Sequence, residues 1–257
     1  MNCPLCDASQ STVFATWPNF TVSECLGCGF RFVDTMDPKY PKDAQYVFDE
    51  AEIGLIRPDL PHIQRRVSDI LRFKQPPGRS LDIGCGKGEV ALALQQQGFE
   101  ATGLDMKSNI MTHLQSHYPN VEWRCATTLE LAELSQCYDI LTLYHVLEHV
   151  TDPRSVLASV KRLANPGALI VVEVPNVGGW KAKLKGRQWD YYKVDHVNYF
   201  RAGDLRRLAE SLDLKILDIR GYQHFSYPQH VLWKDAVKGM FGWLGFKDVI
   251  SVFLQVV

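Results

Sequence analysis

From residue 79 onward short apolar runs alternate with amphipathic ones, and the first apolar run ends in a glycine-rich turn, Leu81-Asp-Ile-Gly84-Cys-Gly86-Lys-Gly88. The runs predict strands over 79–83, 100–104, 121–124, 138–144, 168–174, 214–222 and 249–256. Helices are predicted over 58–73, 88–97, 107–117, 128–135, 153–163, 202–212 and 229–242. Apolar residues at helical spacing, such as Ile63, Val67 and Ile70, support these, as does the Asp152-Pro153 start signal. Ala168-Leu-Ile-Val-Val-Glu-Val174 is almost continuously apolar, as suits a parallel strand covered on both faces. Strands alternating with helices imply an α/β, Rossmann-like, doubly wound sheet of seven strands.

The turn carries the first chemical signal. Its glycines let backbone approach a ligand closely and offer N–H groups at a helix N-terminus. A dinucleotide fingerprint would read G-x-G-x-x-G. Here the glycines fall at 84, 86 and 88, and Asp82 precedes them. An acid there disfavours pyrophosphate. It suits a cationic amine, directly or through water, or it orders the loop. The second strand ends at Asp105, where an acid can hold both ribose hydroxyls or cap the next helix; Met106 can pack on an adenine face. Glycine loop, amino-acid-binding acid and ribose acid together describe S-adenosylmethionine.

Leu81-Asp-Ile-Gly-Cys-Gly-Lys-Gly88, Asp105, Tyr144-His-Val-Leu-Glu-His149 and Pro166-Gly-Ala-Leu-Ile-Val-Val-Glu-Val-Pro175 resemble the motif series of class I S-adenosylmethionine-dependent methyltransferases. The resemblance covers about residues 79–225 and points to the ubiquinone-biosynthesis O-methyltransferases and to zinc-ribbon-bearing methyltransferases of sugar and natural-product pathways. It implies a cofactor site formed by Asp82, Gly84, Cys85, Gly86, Gly88, Asp105, Met106, Thr127 and Tyr144. Many relatives place an acid on the adenine amino group. Here Arg124-Cys-Ala-Thr127 stands instead, leaving that contact to backbone or to Thr127.

The acceptor side is expected at His145, Glu148, His149 and His196. The ubiquinone O-methyltransferases carry E-x-x-E-H where this chain has His145-Val-Leu-Glu148-His149. A hard divalent ion prefers oxygen, so the histidine argues against a catalytic divalent metal. His196 is the first candidate for general base, because imidazole titrates in the useful range. The aromatic stretch 176–200, with Trp180, Trp189, Tyr191, Tyr192, Tyr199 and Phe200, reads as a lid over an acceptor pocket, or else as a satellite hydrophobic cluster.

Cys3-Pro-Leu-Cys6 and Cys25-Leu-Gly-Cys28 place two knuckles at zinc-ribbon spacing. Residues 1–33 are therefore expected to form a Cys₄ zinc ribbon, with strand-like runs at Val13-Phe14 and Phe30–Val33. Residues 34–57 read as linker and 58–257 as the methyltransferase domain. The apolar C-terminal stretch, with Phe241, Trp243, Leu244 and Phe246, is expected to join the core.

With 28 Lys+Arg against 29 Asp+Glu, no basic excess points to nucleic acid. No apolar run is long enough for a membrane span, and the start has no signal-like region, so the protein reads as cytoplasmic. The expected reaction is methyl transfer to a small molecule, O-methylation first. C-methylation of a nucleotide-linked sugar, RNA methylation and a non-catalytic binding module are the alternatives. The oligomeric state is not encoded in any pattern found.

Overall fold

The computed structural model describes residues 1–36, 55–135, 137–223 and 247–257. The main sheet has seven strands: β4 (Arg79–Ile83), β5 (Glu100–Asp105), β6 (Glu122–Cys125), β7 (Tyr138–Tyr144), β8 (Ala164–Pro175), β10 (Leu214–Tyr222) and β11 (Val249–Val256). Their spatial order is β10-β11-β8-β7-β4-β5-β6, with β11 antiparallel to both neighbours. β4 pairs in parallel with β5 on one side and β7 on the other. The order therefore reverses at β4/β7, and a crevice opens beyond the carboxyl ends of those strands.

The helices follow from local signals. α1 (Pro61–Leu71) starts on a proline and buries Ile63, Val67 and Ile70. α2 (Glu89–Gln96) and α3 (Ser108–His117) follow β4 and β5. α4 (Pro153–Arg162) is capped by Asp152, whose carboxylate accepts from the Ser155 N–H at 2.9 Å. The helix expected over 128–135 is only a single 3₁₀ turn, Glu130–Glu133. Its one buried residue is Leu131, and neighbouring Leu129 is 85% exposed, so no apolar stripe exists to dock a longer helix. The helix expected over 229–242 and the core residues expected at 241–246 lie outside the described residues.

The N-terminal unit departs further from expectation. It contains three strands, β1 (Ser11–Trp17), β2 (Phe20–Cys25) and β3 (Arg31–Met36), so sheet continues past the expected linker boundary at residue 34. A fourth strand comes from far along the chain: β9 (Asn198–Tyr199) pairs with β3, Arg31 opposite Tyr199 and Phe32 opposite Asn198. The unit also shares its core with the body. Cys3, Leu5, Phe30 and Phe32 belong to the same buried cluster as Leu81, Ile83 and Leu143.

This packing revises the aromatic lid. Trp189 is 4% exposed, and it packs with Tyr192 and Tyr199 on Phe20, Val22 and Val33 of the small sheet. Phe200 lies against Phe30, centroids 5.1 Å apart. Most of the rings pack on the small sheet, because a four-stranded sheet this small needs a second apolar layer. Short helix α5 (Trp180–Lys185) lies in the same stretch, and α6 (Ala202–Glu210) follows β9.

Candidate active site

Gly84, Gly86 and Gly88 all have left-handed backbone, with φ of 67°, 54° and 72°. A Cβ at Gly84 would lie 2.6 Å from Val146, and one at Gly88 would lie 2.4 Å from Trp123. Gly88→Ala is therefore expected to cost about 2–4 kcal/mol, combining the left-handed penalty with overpacking, as read from thermal or denaturant unfolding. Asp105 ties the turn to the end of β5: Oδ2 accepts from the Gly86 N–H at 2.8 Å and Oδ1 from the Lys107 N–H at 3.1 Å. An ionised carboxylate has about four acceptor positions, so it keeps capacity for hydroxyls after these two bonds.

Asp82 is buried at 3% exposure, and its Oδ1 accepts from the Thr142 hydroxyl at 2.6 Å. Burial pushes its carboxyl up to about 7, against the Thr142 bond and the pull of Arg66. It thus acts on the turn from within the protein. The Cys85 N–H donates to Leu104 O at 3.0 Å, and burial holds its thiol well above its ordinary value, hence neutral. Met106 remains 40% exposed beside Asp105. Thr127, expected at adenine, has both donors on Glu130: its N–H at 2.6 Å and its hydroxyl at 2.8 Å. Its hydrogens are directed at Glu130, while its hydroxyl oxygen keeps a lone pair of the kind an amino group needs.

Tyr144 ends β7, and its buried hydroxyl has no hydrogen-bond partner among the described residues. The Arg66 guanidinium stands 4.1 Å from its ring centroid. Here the structure adds residues that sequence reasoning missed. Arg65 and Arg66 of α1 both donate to buried Glu173 of β8, at 2.8 and 2.6 Å, and the Ser251 hydroxyl donates to the same carboxylate at 2.6 Å. Burial alone would raise the Glu173 carboxyl, but Arg66 and Arg65 outweigh it and bring it down to about 2. The available signal was a lone acid inside an apolar strand and an Arg pair on an amphipathic helix.

The residues expected on the acceptor side converge. His145 follows β7 with φ of 58°, rare for a residue with a side chain. Its Nδ1 lies 2.9 Å from Glu148 Oε1, while the buried Glu148 Oε2 has no partner among the described residues. Burial raises the Glu148 carboxyl, but the His145 bond and the nearby imidazoles hold it below its usual range. His149 Nδ1 sits 2.8 Å from Asp195 O. His196 arrives from the segment before β9, its ring edge-on to His149 at 4.8 Å and near Tyr191 at 5.9 Å. Ligand atoms of Glu148, His149 and His196 lie within 4.8 Å of one another. Burial drives the His196 imidazole down to about 4, against Glu148, so it is unprotonated at neutral pH rather than titrating there as its residue type suggests.

The four N-terminal thiols also cluster. Cys3 and Cys28 sulfurs are 3.7 Å apart, Cys6 and Cys25 sulfurs 3.6 Å, and all four lie within 4.8 Å. A tetrahedral thiolate zinc site, with bonds near 2.3 Å, sets sulfurs about 3.8 Å apart; a disulfide would set them at about 2 Å. These two pairs lie near the zinc spacing and far from a disulfide's. Among the described residues, no helix is long and apolar enough to cross a membrane.

A family model described as a methyltransferase domain matches residues 58–219. The ubiquinone biosynthesis O-methyltransferase of Coxiella burnetii is 30% identical over 156 residues, 56% of this chain and 66% of that protein. The enzyme of that name from Pseudomonas fluorescens is 37% identical over 162 residues, 58% of this chain and 70% of its own length. The chain thus spans just under two thirds of the Coxiella relative. Among solved structures, an S-adenosylmethionine-dependent methyltransferase from Archaeoglobus fulgidus superposes with a TM-score of 0.56 at 17% identity, covering 76% of this chain and 93% of that one. The N-methyltransferase NodS from Bradyrhizobium japonicum, solved with S-adenosyl-L-homocysteine, gives 0.57 at 16%, covering 86% and 99%. With this strand order, this glycine turn and a family match across more than half its length, the chain belongs to the class I S-adenosylmethionine-dependent methyltransferases.

Proposed function

We propose that the protein transfers the methyl group of S-adenosylmethionine to a small-molecule acceptor, most directly to an oxygen, and releases S-adenosylhomocysteine. The observation that carries this is the joint placement of the left-handed glycine turn, Asp105 and the unpartnered Tyr144 hydroxyl around the β4/β7 crevice. The turn and Asp105 fit a nucleoside carrying an amino acid: glycine backbone that a ligand can approach closely for the amino-acid end, a carboxylate for the ribose. The sulfonium supplies an activated methyl, so the chain mainly aligns the acceptor and manages one proton. His196 is the base in this reading. Its imidazole is unprotonated at neutral pH and so able to accept a proton; burial weakens it as a base, and Glu148 nearby counters this by favouring the cation it becomes. The curated relatives named above are O-methyltransferases, which supports oxygen over carbon or nitrogen. Zinc in the Cys₄ unit is structural in this reading and touches neither the methyl group nor the acceptor.

Calorimetry with S-adenosylhomocysteine tests the core of the proposal, and a folded protein with no measurable affinity overturns it. His196→Ala is expected to keep that affinity within about twofold while turnover of any accepted phenol or alcohol falls by about 10²–10⁴. Undiminished turnover in that variant removes His196 from the mechanism.

A further inference from the structure

The short strand β9 is held from both sides. On one side lies the thiolate unit: β3, which starts three residues after Cys28, pairs with β9, and the Val33 N–H donates to Val197 O at 2.9 Å. Arg201 and Arg207, just beyond β9, donate to Cys28 O at 3.3 and 3.4 Å, a second tie to the same knuckle. On the other side lies the loop that carries the acceptor-side groups. Glu148 O accepts from the N–H of Val197 at 2.7 Å and of Asn198 at 3.1 Å. The Asn198 side-chain amide then donates to Leu147 O at 3.2 Å and to Val150 O at 2.6 Å. Asn198 is 3% exposed, and its one amide therefore fixes the loop on both flanks of Glu148 and His149. None of these contacts involves the glycine turn or Asp105.

We propose that Asn198 is a positioning residue that couples the loaded Cys₄ unit to the acceptor-side imidazoles. The thiolate site then sets the geometry of His149 and His196 without altering the nucleoside pocket. This rests on the methyl-transfer reading only for its catalytic meaning; the coupling itself is a property of the fold. Loss of the metal frees the knuckle and the Cys28 carbonyl that Arg201 and Arg207 hold, so the start of β3 shifts against β9 and β9 holds the loop less firmly on its outer side. Loss of the Asn198 donors breaks the same path closer to the loop while leaving the thiols intact.

The test uses the full-length, zinc-loaded protein in three forms: wild type, wild type after zinc withdrawal by a chelator, and Asn198→Asp, which keeps the shape but cannot donate. Imidazole NMR signals of His149 and His196, amide exchange at Val197 and Asn198, zinc content and affinity for S-adenosylhomocysteine are measured on each. Zinc withdrawal is expected to shift both imidazole signals and to lower amide protection by about tenfold or more, with nucleoside affinity changed less than about twofold. Asn198→Asp is expected to reproduce those shifts while retaining its zinc. Unmoved imidazole signals and unchanged protection after zinc withdrawal overturn the coupling. Should Asn198→Asp fail to fold, the chelated wild type decides alone. Binding of S-adenosylhomocysteine without the shifts defeats this coupling and spares the methyl-transfer reading; shifts without binding do the reverse.

Discussion

Asp105→Ala is expected to weaken S-adenosylhomocysteine binding by about 100-fold or more, the largest loss of affinity from any single substitution in the site. Two effects add. The Gly86 and Lys107 N–H groups lose their common acceptor, so the glycine turn is no longer tied to β5. The ribose hydroxyls lose an ionised acceptor, and hydrogen bonds to charged groups are worth about 1.5–3 kcal/mol. Asp105→Asn separates the two. It retains one acceptor oxygen for the turn and removes the charge, so a loss of about tenfold is expected. Titration calorimetry on both variants, with circular dichroism to confirm folding, is the check. Near wild-type affinity for Asp105→Ala would place the nucleoside elsewhere.

Glu173→Gln is expected to give the largest loss of stability, about 3–5 kcal/mol, because it leaves Arg65 and Arg66 paired with a neutral group in a buried site. For a domain of this size that is on the order of 10 °C in melting temperature. The pH dependence has a definite sign. The folded carboxyl, at about 2, lies below its ordinary value of 4.5. Its contribution is therefore complete above about 4.5 and is lost as pH falls through about 2. Thermal melts should show a constant gap between wild type and Glu173→Gln from pH 7 to about 4.5, a narrowing gap as the wild type loses more stability below that, and closure of the gap near pH 2. Parallel curves would show that the carboxylate is not the group the arginines stabilise.

The main sheet was legible because its signals are local. β4, β7 and most of β8 are apolar runs, and the three positive-φ glycines at 84, 86 and 88 sit where β4 enters a helix. The N-terminal thiols were legible from spacing alone. What escaped were the long-range partners. Nothing around Asn198 and Tyr199 announces a strand, since two residues carry no periodicity, and only their pairing with Arg31 and Phe32 creates one. The aromatic content of 176–200 suggested a lid. Ring count alone does not distinguish a ligand pocket from an interface, and the small sheet claims most of those rings. Arg65, Arg66 and Glu173 were hidden for the same reason: each looks ordinary until α1 is laid across β8.

The pairing of β3 with β9 also has a consequence for synthesis of the chain. A ribosome releases Arg31 and Phe32 long before Asn198 and Tyr199, so the growing polypeptide carries an open hydrogen-bonding edge through most of its translation. Nascent fragments that stop short of residue 198 should self-associate, and late arrival of that two-residue stretch should be the step that closes the edge.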